Sequence, residues 1–369
     1  MSSNGENLIE KYDENMKASK VESGSIRWYS PLEEPFYVAG FAWREQDHVY
    51  RRLPVRPSHK LPEAVDFLAG NTAGGQIKFQ STTSHLSIRV KLNERANMTH
   101  MPATGQCGFD CYVEAEGEFI FSGVSKYPVQ DSEYETVLFS NYGTELKNIV
   151  LHFPLYMGVE EVFIGLDEEA VLTAPPAYLS QEKVIIYGTS ITQGGCAARP
   201  GMAYTNILSR RIPLEFINLG FSGSGKGEPE LAHNIAEIEN PALLVLDYEA
   251  NSLGLDMLKN TMPEFVRIYR EKHPDTPILV VSKIAYAQEV FNPVMREEAL
   301  QRRAFQEGFV QQCRQKGDQA IYFFDGSQLL GDTAFHECTV DGVHPTDLGF
   351  LRMADGLTPI FRQLLQIVD

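Results

Sequence analysis

Long apolar runs are missing from this chain. No stretch approaches the roughly 20 residues that a bilayer-crossing helix needs, and the polar, mixed-charge segment from Met1 to Lys20 lacks the apolar core of a signal peptide. The expectation is a cytoplasmic protein with no membrane partner. Positive charge is scarce too. Against 49 Asp and Glu stand 32 Lys and Arg, a formal net charge of -17. That balance repels phosphate backbones and anionic headgroups alike, so a nucleic-acid partner would need a local basic patch. Arg51-Arg52 and Arg302-Arg303 are isolated pairs and do not make one. Cysteine is also sparse. Five in 369 residues are too few and too scattered for a disulfide scaffold, and Cys107 and Cys111 lack a second pair at zinc-site spacing. Cys111 falls on the apolar face of a strand pattern, so both read as buried free thiols.

What is present suits a soluble globular protein of two domains: the length suffices for two cores and the hydrophobic content is an ordinary 43%. Residues 1–30 read as a tail or loose helix. Residues 31–176 follow a period of two, in which Leu86, Ile88, Val90 and Leu92 alternate with Ser87, Arg89 and Lys91. The alternation returns at Phe109, Cys111, Val113 and Ala115, then after the turn pair Glu116-Gly117 at Phe119 to Phe121, which predicts a hairpin. It recurs at Ile149, Leu151, Phe153 and Leu155, and at Val162, Ile164 and Leu166. Half-buried strands without long helical patterns between them predict an all-β sandwich of jelly-roll type. His85, His100 and His152 lie in this half. No motif sets a nucleophile or a carboxylate beside them, so none reads as catalytic.

Thr173-Ala174-Pro175-Pro176 marks the boundary, since consecutive prolines cannot join a ladder. In residues 177–369 apolar runs recur at Val184 to Tyr187, Phe216 to Leu219, Leu243 to Leu246, Ile278 to Val281 and Ile321 to Phe324. Amphipathic stretches such as Leu255 to Lys272 and Val294 to Gln315 separate them at lengths that suit crossover helices. Right-handed crossovers then give a three-layer α/β/α domain around a five-stranded parallel sheet, with the loops after the strands gathered on one edge.

Two kinds of chemistry compete for that edge. Gly220-Phe221-Ser222-Gly223-Ser224-Gly225-Lys226-Gly227 approaches a phosphate-cradling loop, and Asp247 ends an apolar strand as a magnesium-holding aspartate would. However, Gly227 stands where the loop needs a hydroxyl, and Glu228-Pro229 puts negative charge where phosphate should sit. The other chemistry starts at Ser190, which follows the run Val184 to Gly188 at a strand's carboxyl end, where open α/β sheets bind ligands. A helix N-cap is the plainer role for a serine there. Far downstream, Asp341-Gly342-Val343-His344-Pro345 precedes the last helical stretch, with Pro345 and Thr346 as its start signals. A three-residue offset can bring the Asp341 carboxylate back onto His344 Nδ1 and leave Nε2 free to act as a base.

With these blocks the chain resembles the SGNH, or GDSL, family of serine esterases over roughly Lys183 to Leu365. Gly188-Thr189-Ser190-Ile191 resembles the nucleophile block, with Thr189 in place of the commoner Asp. Asn218-Leu219-Gly220-Phe221-Ser222-Gly223 resembles the second block, in which the resemblance makes the Gly223 N–H an oxyanion donor. The family's Gly-x-Asn-Asp appears as Glu249-Ala250-Asn251-Ser252, leaving Asn251 as a further donor, or as the residue that begins the next helix. Asp341 to His344 matches the last block. Gly105 to Val113 is similar to the β-sandwich that precedes this domain in some carbohydrate-esterase-like members.

The resemblance implies acyl transfer: Ser190 as nucleophile, His344 as base, Asp341 behind it, and Ser190 N–H, Gly223 N–H and the Asn251 amide as the oxyanion hole. It requires no metal or organic cofactor. The implied substrate is a short acyl ester, acetyl above all, of a sugar or glycan. An acyltransferase or lysophospholipase-like esterase, and a glycan-binding protein with a degenerate esterase half, remain alternatives, and the oligomeric state is open.

Overall fold

Alternation along the N-terminal strands has one consequence: Leu86, Ile88, Val90 and Leu92 enter a single core with Ile149, Leu151, Phe153, Val162, Ile164 and Leu166. The computed structural model describes residues 8–18 and 25–367. Its first ten strands are β1 (Ile26–Tyr29), β2 (Tyr37–Ala39), β3 (Gln76–Ser81), β4 (Leu86–Leu92), β5 (Asp110–Ala115), β6 (Glu118–Val124), β7 (Glu133–Phe139), β8 (Lys147–His152), β9 (Val159–Asp167) and β10 (Leu172–Thr173). They pair antiparallel in two sheets, one in the order β1-β9-β4-β7, the other β10-β3-β8-β5-β6 with β2 beside β3. This is the expected β-sandwich. Glu116 and Gly117 close the β5–β6 hairpin with φ of 54° and 83°, the two positive values that a tight two-residue turn matched to the strand twist demands.

One strand was hidden in the expected tail. Ile26–Tyr29 pairs with β9 from Ile26↔Asp167 to Tyr29↔Ile164, a run too short to show a period. The rest of that stretch holds two short helical turns, Leu8–Lys11 and Glu14–Met16, while residues 1–7 and 19–24 lie outside the described residues.

The five apolar runs of the C-terminal half are β11 (Lys183–Gly188), β12 (Glu215–Gly220), β13 (Pro241–Asp247), β14 (Ile278–Val281) and β15 (Ile321–Phe324). All are parallel, in the order β12-β11-β13-β14-β15. Val184 and Ile186 face one helix layer with Ile207, Phe350 and Met353; Ile185 and Tyr187 face the other with Leu258, Phe265 and Val310. A strand buried on both sides must be apolar throughout, which is why β11 reads as a run rather than an alternation. The chain leaves β11 for β12 on one side and later takes up β13 on the other. The crevice at its carboxyl end is therefore the topological switch point, the place where such sheets bind ligands.

The two halves share more than a linker. Trp43, Leu53, Leu61, Val65 and Ala69, from the proline-punctuated segment between β2 and β3, belong to the core of the parallel sheet's helix layer. Burying side chains such as Leu53, Leu61 and Val65 stabilises by about 1.5–3 kcal/mol each, so this segment fastens the sandwich to the other half. Among the described residues, no helix is long and apolar enough to cross a membrane.

Candidate active site

The turn after β11 is built by its hydroxyls. Thr189 is the N-cap of a one-turn helix, Ser190–Gln193: its side chain accepts from Ile191 N–H, and Thr192 Oγ1 accepts from Thr189 N–H, each at 3.3 Å. This reciprocal cap satisfies helix-end donors that would otherwise be stranded. Ser190 is thus not the cap but the first helical residue, and its hydroxyl is left for other work. That hydroxyl lies 2.9 Å from His344 Nε2.

His344 arrives through a tight turn. Asp341 Oδ1 accepts from the backbone N–H of Val343 at 3.0 Å and of His344 at 2.8 Å, and Gly342 takes a φ of 87° that costs a glycine little. Asp341 Oδ2 is then 2.8 Å from His344 Nδ1. With the proton held on Nδ1 by the carboxylate, Nε2 is an acceptor and the serine hydroxyl donates to it. Burial alone would raise the Asp341 carboxyl, but the bonds from His344 and Val343 outweigh it and hold the group below the ordinary carboxylate value. Thr346, one of the expected start signals, caps the following helix, Asp347–Leu364, through Gly349 N–H.

Gly223 and Asn251, the two further expected donors, lie in the turns after β12 and β13. Gly223 has a φ of 64° in the turn after β12, and a Cβ there would meet nothing within 4 Å, so its surroundings are open. Neither the Gly223 nor the Ser190 N–H meets an acceptor among the described residues. Asn251 does not begin the next helix: that helix, Leu255–Lys272, starts after Gly254, and Asn251 ends the short turn Glu249–Asn251. Its amide donates to Phe221 O at 3.3 Å, tying the turn to the Gly223 loop with a second N–H to spare. Glu249, where the family has glycine, is buried and accepts from Lys283 N–H and Gln306 Nε2 at 2.8 and 2.7 Å.

The competing phosphate loop is filled by the protein itself. Lys226 N–H donates to Glu228 Oε2 and Gly227 N–H to the Tyr187 hydroxyl, at 2.9 and 2.8 Å. Asp247 accepts from Tyr204 and Thr192 hydroxyls at 2.7 and 3.0 Å. A carboxylate occupies the ground that a phosphate would need.

Several supporting residues could not be picked out from sequence. Gln193 accepts from Ser222 N–H at 3.0 Å and donates to Asn71 Oδ1 at 3.0 Å, linking the serine's helix to both halves. Arg52, wholly buried, donates to the carbonyls of Asn71, Leu68 and Gly220, and so holds the strand end that leads to Gly223. His100 lies beside the relay, its ring 5.9 Å from that of His344 and its Nε2 3.9 Å from Asp341 Oδ2. His152 also has a carboxylate partner, contrary to expectation: Nδ1 is 3.0 Å from Asp110 Oδ1, because β5 and β8 pair these residues across strands. Cys107, Cys111 and Cys196 are buried free thiols.

A serine bonded to a histidine at the switch point of a five-stranded parallel sheet, behind an antiparallel sandwich, is the architecture of an SGNH-type esterase. The GDSL-like lipase/acylhydrolase family model matches residues 181–362, and that for the N-terminus of SGNH-hydrolase-type esterases matches residues 26–172. A Bacteroides ovatus protein described as GDSL-like lipase is 33% identical over 93% of this chain and 99% of its own, with a TM-score of 0.85. The chain belongs to the GDSL family of esterases. Its fold is also that of a salicylyl-acyltransferase from a tetracycline biosynthetic pathway (19% identity, 93% and 98% coverage, TM-score 0.72) and of a family two carbohydrate esterase from Cellvibrio japonicus (15%, 93% and 98%, 0.57). No protein with a curated description matches.

Proposed function

We propose that the protein removes a short acyl group, most simply acetyl, from a hydroxylated substrate such as a sugar or glycan, through an acyl-enzyme on Ser190. The observation that carries this is the continuous relay Ser190 Oγ, His344 Nε2, His344 Nδ1, Asp341 Oδ2, with contacts of 2.9 and 2.8 Å. His344 takes the serine proton as Oγ attacks the ester carbonyl, and Asp341 stabilises the imidazolium. The unengaged N–H groups of Ser190 and Gly223, with the spare Asn251 proton, receive the oxyanion. The leaving alcohol takes the proton back, and water repeats the cycle to free the acid. Every group needed is in the chain, so the reaction calls for no metal or cofactor.

Residues 177–369 carry this chemistry in the proposal, and residues 31–176 support it through Arg52 and Asn71. The likeness to carbohydrate esterases supports a glycan ester, and the likeness to an acyltransferase makes an alcohol acceptor the main variation. The test is a panel of acetyl, butyryl and aryl esters on sugar and simple alcohols, with and without added acceptor, run on the wild type and Ser190→Ala. The variant should lose about a thousandfold or more of turnover while staying folded, and acetyl should be trapped on the Ser190 peptide of the wild type alone. Full activity in purified Ser190→Ala would end the proposal; acyl transfer to added alcohol in preference to water would make the protein an acyltransferase.

A further inference from the structure

We propose that His100, Cys196 and His344 form a binding site for zinc or a similar thiophilic divalent cation, and that its occupancy reversibly shuts the esterase off. The binding claim stands on the side chains alone; the inhibition rests on the proposed role of His344 as base. Such an ion would occupy the machinery, not assist it.

The three residues come from separate loops. His100 lies between β4 and the short helix Ala103–Gln106, Cys196 follows the Ser190–Gln193 helix, and His344 precedes the last helix. The fold nevertheless brings their donor atoms within 4.8 Å of one another. A tetrahedral zinc with bonds of about 2.0–2.3 Å holds its donors roughly 3.5 Å apart, so closing the set takes a movement of about an ångström. His100 can supply it, because its side chain is 40% exposed while the chain on either side of it is pinned. The pin is buried Gln106, whose Oε1 accepts from Asn97 and Met98 N–H at 3.0 Å and whose Nε2 donates to the Met98 and Met101 carbonyls. Cys196 is held from the opposite side. Its turn is anchored by Gly195 N–H on Ser190 O at 2.7 Å and Ala198 N–H on Asp347 Oδ1 at 2.9 Å, and its thiol is buried and unbridged.

Two imidazoles and a thiolate are a donor set that suits zinc and discriminates against magnesium and calcium, which want oxygen. On binding, the thiol releases its proton to solvent and the sulfur forms the metal bond, so no oxidant or other reactant is needed. Three protein ligands leave a fourth position for water or the Ser190 hydroxyl. Asp341, 3.9 Å from His100 Nε2, adds negative charge at the margin. Both nitrogens of His344 are already engaged, one with Ser190 and one with Asp341. Whichever of them takes the metal, one bond of the relay is lost.

Binding is measured first on Ser190→Ala, which removes turnover from the readout. Cobalt should give one equivalent of binding with a thiolate-to-metal charge-transfer band that zinc displaces. Cys196→Ser should abolish the band. His100→Ala, a change at an exposed side chain, should weaken binding about a hundredfold or more, since loss of a partner behind a ligand already costs ten- to a hundredfold. In parallel, zinc should inhibit the wild-type esterase reversibly on chelation, and both ligand variants should need about a hundredfold more zinc relative to their own zinc-free rates. No thiolate band in either the wild type or Ser190→Ala, or inhibition that both ligand variants leave unchanged, overturns the proposal. Cobalt binding in a protein with no esterase activity would sink the role of His344 as base and leave the ion site standing.

Discussion

The chain holds two histidine–aspartate pairs of nearly the same geometry in very different surroundings. His344 Nδ1 is 2.8 Å from Asp341, and His152 Nδ1 is 3.0 Å from Asp110. What separates them is the far nitrogen. That of His344 meets a serine hydroxyl at 2.9 Å on a ring that is 24% exposed. That of His152 accepts from the Arg210 guanidinium at 3.3 Å on a ring with no exposure. Burial, with the nearby arginines, pushes His152 below the ordinary histidine value and keeps it neutral, while Asp110, which burial would raise, is held low by His152, Arg199 and Arg210. Asp110 also accepts from Gly201 N–H at 2.7 Å and Arg199 at 3.0 Å, both in the other half of the chain. One pair offers a proton acceptor to the Ser190 hydroxyl; the other is a closed latch between sandwich and parallel sheet. A His–Asp contact alone is therefore no evidence of catalysis.

The comparison breaks most sharply under alanine. His344→Ala should cost about a thousandfold or more in kcat/KM with little change in the unfolding midpoint. Asp110→Ala should do the reverse. Removing one member of a buried charged cluster strands the others, at a cost of about 3–5 kcal/mol, while the folded fraction keeps its turnover to within a few-fold. Urea unfolding and ester kinetics on both variants decide it. An Asp110→Ala protein of undiminished stability but lost activity would mean that the buried pair takes part in the reaction.

Asn251 sharpens the comparison on the oxyanion side. If its amide donates to the developing charge, Asn251→Ala should lower kcat by about a hundred- to a thousandfold with a much smaller change in KM. If its bond to Phe221 O is its whole contribution, the substitution should cost about 1 kcal/mol of stability and leave kcat within a few-fold. The second result would leave the hole with backbone donors only.

Period and turn chemistry made much of this legible. The five parallel strands lie where uninterrupted apolar runs stood, and Leu255–Lys272 is a helix over the expected span. The contacts among Ser190, His344 and Asp341 were legible because Asp341 and His344 sit in one turn and Ser190 ends a strand. Asp110 and His152 were not, since their meeting depends on the register of β5 against β8, and a single sequence does not specify which strands pair. His100 and Cys196 sit in irregular loops, where no period predicts a direction. Trp43 to Ala69 was hidden for a similar reason: prolines at 54, 57 and 62 break any period, so the segment read as sandwich loop although its apolar residues enter the other core.

A third carboxylate shows what the cations around Asp110 achieve. Asp247 is also turned into the protein, but its Oδ2 meets only the Tyr204 and Thr192 hydroxyls, at 2.7 and 3.0 Å. Burial pushes its carboxyl up to about 7 from the ordinary 3.8; nearby Glu249 adds to the rise, and the two hydroxyls oppose it without cancelling it. In the unfolded chain the group ionises near 3.8, whereas folded it keeps its proton to about 7. Its contribution to stability is thus full below pH 3.8, declines as the pH rises, and is gone above about 7. At about 1.4 kcal/mol for each pH unit that separates the folded from the unfolded ionisation, the decline has a ceiling of about 4 kcal/mol. Asp247→Asn keeps an acceptor for both hydroxyls and cannot ionise. The unfolding free energy of the wild type minus that of the variant should therefore fall between about pH 4 and 7 and stay level above. The same subtraction with Asp110→Asn should rise with pH over the range where the unfolded carboxylate ionises, because Asp110 is shifted the other way. Parallel curves for Asp247→Asn would show that the carboxylate is charged in the folded protein and that hydroxyls alone hold it there.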